Sequence, residues 1–100
     1  MGTSSKRLWQ LLLALKQEGL GDYASYESKF VGLWGRWIAL LRPGEVAPDF
    51  LKKERFMARL WPSLSEKVRG RFPADYEEAV RVARLKDKKL HLQTHSMQPH

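Results

Sequence analysis

The chain has no cysteine, which excludes disulfides and thiolate metal sites. Its longest apolar run, Leu11 to Leu15, is five residues, far short of the ~20 that a membrane-spanning helix needs. Lys6 and Arg7 precede that run, but it is too short for a signal-peptide core and no cleavage site follows. Histidine is confined to the last ten residues. No glycine-rich phosphate loop, nucleophile elbow or cysteine nucleophile is present. There is no alternating strand pattern, internal repeat or low-complexity tract. These absences predict a helical protein of the cytoplasm or nucleus, without catalysis or a cofactor.

What is there is a folded domain. Of 100 residues, 43% are hydrophobic and 29% charged, and four Trp, four Phe and three Tyr are many aromatics for the size. Such a chain supports one small core and is not disordered throughout. Met1 to Ser5 are polar and are expected outside the fold, with the domain at residues 6–92 and a flexible tail at 93–100. The net charge of +7 is spread along the chain: +3 over residues 1–42, +2 over 43–75 and +2 over 76–100. A spread excess points to weak attraction for polyanions, not to a dedicated nucleic-acid reader.

The chain is organised around Phe56 to Ala83, which spells helix, stop, helix, stop, helix. Ser63 stands three residues before Glu66 and directly after Pro62, and Asp75 three before Glu78 and shortly after Pro73. Each pair fits a reciprocal cap, in which the first side chain takes an orphan N–H and the glutamate reaches back. Gly70 is placed to end the short helix in the left-handed conformation.

Upstream, Lys6 to Glu18 reads as a helix lined by Leu8, Leu12 and Leu15 and widened by Trp9 and Leu13. Gly19-Leu20-Gly21 breaks it and Asp22 is a candidate cap. From Tyr23 to about Leu41, the residues Tyr23, Tyr26, Phe30, Leu33, Trp34, Trp37 and Leu41 keep helical spacing, with Glu27, Lys29 and Arg36 facing away. Gly32 and Gly35 inside this segment each cost about 1 kcal/mol of helix propensity. They make a candidate contact face, although packing within the same domain is the preferred expectation. After the loop Arg42 to Pro48, a third helix runs to about Leu60, with Phe50, Phe56, Met57 and Leu60 apolar and Lys52, Lys53 and Arg55 outside. The last helix runs from Tyr76 to about Leu92 and buries Tyr76, Ala79, Val80, Ala83 and Leu90. The pattern predicts an all-α bundle of about five helices, with Phe30, Trp34, Phe56, Leu60, Leu64, Val68, Ala79 and Ala83 in one core.

Phe56-x-x-x-Leu60-x-Pro62-x-Leu64-x-x-x-Val68, Pro73 and Asp75-x-x-Glu78-Ala79-Val80-x-x-Ala83 resemble the C-terminal capsid domain of Gag proteins from gypsy-type LTR retrotransposons. Host proteins domesticated from such Gags look similar. The resemblance extends upstream through Leu15-x-Gln17-x-Gly19, Tyr23 and Phe30-x-x-Leu33, so that it covers roughly residues 12 to 90. Arg59 stands where the family usually has Gly. The resemblance implies a capsid-like fold and a subunit that self-associates into a virus-like shell around RNA. The competing implications are a domesticated adaptor that binds protein partners and a SCAN-type dimerisation module of a transcription regulator.

The candidate self-association residues are Trp34, Trp37 and Leu41, with Trp61 at a helix end; exposed Trp anchors interfaces. Arg81, Arg84 and Lys88 form a stripe on the last helix, flanked by Lys86 and Lys89, and are the candidate nucleic-acid contact. No aromatic interleaves with the stripe, so a solvated basic face is the preferred reading. His91 and His95 have zinc-ligand spacing but lack a third ligand, and a solvated tail is preferred. Retroviral-type Gags usually carry RNA binding in a segment with Cys-His knuckles, which these residues do not contain.

Overall fold

The computed structural model describes residues 5–96, with the backbone alone for Leu20 and for residues 91–96. Among the described residues every regular element is helical: α1 Ser5–Ala14, a short 3-10 turn Leu20–Asp22, α2 Tyr23–Ala39, α3 Asp49–Ala58, α4 Pro62–Arg69 and α5 Tyr76–Ser96. α5 extends past the expected end at Leu92. No described helix is long and apolar enough to cross a membrane.

All eight expected core residues are buried in one cluster, joined by Leu12, Tyr23, Tyr26, Met57, Tyr76 and Leu90. Phe30 is its hub. Its ring stacks on Trp34 at 5.9 Å and on Tyr76 at 5.8 Å, and meets Phe56 edge-on at 5.5 Å. Aromatic pairs in such arrangements contribute about 0.5–1.5 kcal/mol beyond their buried area. The Tyr26 hydroxyl, buried with them, donates to the Phe56 carbonyl at 2.7 Å, so no polar atom of that ring is left without a partner. Ala79 and Ala83 present small side chains on α5, which packs against α3 and α4. Phe50 departs from expectation, because its position in the first turn of α3 points outward and leaves it exposed.

The first helix ends at Ala14 instead of Glu18. The reason is tertiary. The Gln17 backbone N–H donates to the Arg59 carbonyl at 2.9 Å, and its side-chain Oε1 accepts the Trp61 N–H at 2.9 Å. Its Nε2 donates to the Gly19 carbonyl at 2.7 Å. A glutamine only 3% exposed thus has both ends of its amide matched, and helical geometry yields to those bonds. Arg59 itself has φ −112 and ψ 9, a conformation open to any residue.

The turn signals are realised unevenly. Asp75 caps α5: its Oδ1 accepts the Glu78 N–H at 2.8 Å, while Glu78 reaches back to the Ala74 N–H at 3.1 Å. Asp49, at the start of α3, adds a bond from the Tyr76 N–H at 3.4 Å. The Ser63–Glu66 cap is not formed. Pro62 occupies the first helical turn, Trp61 is the residue before it, and Ser63 falls inside the helix. Asp22 makes no cap to α2 either, because its carboxylate turns back to the Glu18 N–H at 3.0 Å. Gly70 stays right-handed at φ −63. The left-handed residue after α4 is Phe72, with φ 49.

Candidate interaction surfaces

α2 carries its aromatic residues inward. Trp34 is 5% exposed and belongs to the core, so its indole is withdrawn from direct contact with a partner. Trp37 is half-buried between Trp34 at 5.1 Å and Trp9 of α1 at 4.9 Å. Leu41 is half-buried just beyond the helix, where its N–H donates to Ile38. Trp61 lies apart from these three, 36% exposed at the α3–α4 turn. The four expected contact residues therefore do not form one patch.

The solvent side of α2 carries a different set. Ser28, Gly32, Gly35 and Ala39 follow i, i+4, i+7 and i+11 spacing and are all exposed. Such spacing puts them on one face. Val31 and Ile38 flank this strip and are exposed as well. A Cβ added at Gly32 or Gly35 would have nothing within 4 Å. The expectation that these glycines pack within the domain is overturned, since among the described residues nothing lies within 4 Å of either added Cβ, although Gly35 borders a depression shared with Ala47, Pro48 and Lys52. The small-residue spacing was present in the sequence. That it faced outward followed only from the placement of the aromatic residues.

Glu27, expected to face away, turns toward α5. Its carboxylate accepts two bonds from Arg84, from Nε at 2.9 Å and Nη2 at 2.7 Å, and a third from the Tyr23 hydroxyl at 2.7 Å. The Arg84 bonds hold the Glu27 carboxyl below its ordinary range, against the opposing effect of partial burial, and Tyr23 adds to them. Burial, then the bond to Glu27, pushes the Tyr23 phenol up. Tyr76, beside them, is pushed up to about 12 by burial and by the Glu27 charge. Arg84, in turn, is raised by its bonds to Glu27.

This arrangement divides the basic stripe. Arg84 is committed to an ion pair, although 64% of its side chain remains exposed. Arg81 lies with it along a groove between α2 and α5, whose walls include Val31 and Val80. Lys88 is exposed further along α5. Elsewhere, Lys52 sits 4.1 Å over the Tyr76 ring, and Lys53 donates to the Pro73 carbonyl at 3.2 Å. Both were expected to be free of the domain. The side chains of His91 and His95 lie outside the described residues.

No protein-family model, curated protein or solved structure matches this chain.

An exposed aromatic lies at the turn before α5, apart from the stripe of Arg81, Arg84 and Lys88. Phe72 is 87% exposed, held left-handed between α4 and the buried Pro73. A bulky residue rarely adopts that conformation. Its ring lines a shallow depression with Met57, Lys53 and Arg69.

Proposed function

We propose that this chain is a capsid-like Gag domain that self-associates as part of a virus-like shell around RNA, and that it does so through the outer face of α2. The family resemblance supports the role. The observation that carries the surface is the pair of mid-helix glycines with open space over them. Each lowers helix propensity by about 1 kcal/mol, and no contact within the domain offsets that loss. A second helix backbone laid across Ser28, Gly32, Gly35 and Ala39 would do so, with Val31 and Ile38 closing over its flank. A two-fold axis through this strip would place the same face of each copy together, the commonest closed arrangement.

A specific interface of this kind buries about 1,200–2,000 Å² in total. Leu40, directly after Ala39, is exposed as well and supplies further apolar surface. Sedimentation equilibrium over a wide concentration range tests the reading. The expected result is a reversible dimer that Gly35→Arg converts to a monomer, with a thermal midpoint no lower than the parent's when both are compared at concentrations where the parent is monomeric. A strict monomer at high micromolar concentration defeats self-association through this domain and leaves the adaptor reading in its place.

A further inference from the structure

We propose that the α4–α5 turn and its flanks bind single-stranded RNA, with Lys67, Arg71, Lys86 and Lys89 holding phosphates and Phe72 stacking on a base. This deepens the shell-around-RNA reading. It is independent of self-association and is tested on RNA alone.

Lys67 lies in the last turn of α4 and Arg71 two residues past its end, while Lys86 and Lys89 are three apart on α5 and share a side. α4 and α5 pack against each other through a common core that includes Val68 and Ala83, and this brings the two pairs to one region. Lys86 lies within electrostatic reach of the other three: desolvation, then the charges of Arg71, Lys89 and Lys67, pull its ammonium below the ordinary lysine range. Like charges gathered in this way repel, and a polyanion relieves that repulsion. Among the described residues Arg69 pairs with Glu54 and Arg84 with Glu27, and neither pair uses Lys67, Arg71, Lys86 or Lys89. The sequence stripe of Arg81, Arg84 and Lys88 lacks this property, since Arg84 is already matched to Glu27.

Phe72 makes the proposal specific. It directly follows Arg71, and its exposed ring faces the α3 side of the turn, beside Lys53 and the Arg69–Glu54 pair. A strand crossing the turn meets cations on one side and an aromatic face on the other. That pairing of charge with a stacking platform is how single strands are bound without base-pair recognition. A membrane surface is less well matched, because insertion relies on a broad apolar helix face and this turn offers one ring. Duplex binding would use the cations but leave the ring idle.

The test is fluorescence anisotropy of the full chain with a labelled oligouridine and, in parallel, with heparin, a polyanion without bases. Binding to oligouridine is expected to weaken steeply as salt rises. Arg71→Glu with Lys86→Glu should weaken it by about tenfold or more, and Arg81→Glu with Lys88→Glu by much less. Phe72→Ala should weaken oligouridine by about fivefold or more while leaving heparin unchanged. The neutral pair Arg71→Gln with Lys86→Gln, checked by thermal melting, separates lost binding from lost folding. Unaltered RNA binding in that pair, or an equal loss from the Arg81 and Lys88 reversal, overturns the phosphate site. An equal loss of heparin on Phe72→Ala overturns stacking. Tighter binding to phosphatidylserine vesicles than to RNA would assign the turn to a membrane instead.

Discussion

Glu27 and Arg84 are 57 positions apart in sequence and meet through two parallel hydrogen bonds of 2.9 and 2.7 Å. The carboxylate is mostly covered and the guanidinium mostly exposed, at 18% and 64% of side-chain area. This fork ties α2 to α5 beside Tyr23. It makes stability depend on pH in a definable direction. Because folding lowers the Glu27 pKa from its ordinary 4.5, the pair stabilises the fold fully above that value and is lost as pH falls through the folded pKa. Glu27→Gln should therefore lower the urea midpoint at about pH 7, and the difference from the parent should shrink toward zero at about pH 2. Solvent screening of the exposed arginine keeps the effect modest. A difference constant across pH would show that the side chain acts by shape alone.

Leu60 closes the end of α3 over the core and is 5% exposed. Leu60→Ala should cost about 2–5 kcal/mol in chemical denaturation. A loss below about 0.5 kcal/mol, the range of ordinary surface substitutions, would remove it from the core.

Gln17 links the segment after α1 to the α3–α4 turn. Gln17→Leu keeps most of the volume but leaves the Trp61 N–H without its acceptor. The expected cost is about 1–3 kcal/mol, with faster amide exchange at Trp61 specifically. Unchanged protection there would mean that water replaces the glutamine.

Phe72 holds a conformation that costs a bulky residue about 1–2 kcal/mol, and its ring is almost wholly exposed. Phe72→Asn, which tolerates left-handed backbone, should raise the thermal midpoint while weakening RNA binding. A fall in stability would show that the ring contributes more to packing over Met57 and Pro73 than its exposure suggests.

Gly32→Ala and Gly35→Ala should each stabilise the monomeric helix by about 1 kcal/mol, because the new methyl group meets nothing within 4 Å. The same substitutions should weaken the dimer by holding the two backbones apart. Stabilisation of both states together would place the interface elsewhere.

Periodicity was enough to place the helices and the core residues from Phe30 to Ala83, because burying an apolar stripe at helical spacing leaves few alternatives. Asp75 and Glu78 were legible for the same reason: a cap is a local bond between near neighbours. Contacts decided by distant partners were not. Helix α1 stops early because Gln17 finds Arg59 and Trp61, more than 40 positions away. Glu27 turns inward because Arg84 is there to receive it. Gly32 and Gly35 have open space over their Cβ positions because the aromatic side of α2 is the one turned to the core. The basic residues were plain in the sequence, but which of them remain uncommitted was not. Packing α4 against α5 brought Lys67 and Arg71 within electrostatic reach of Lys86, and the turn before Pro73 left the Phe72 ring exposed on the α3 side. Local spacing fixes which faces are apolar, and only the tertiary structure decides which charges and rings are left over for a partner.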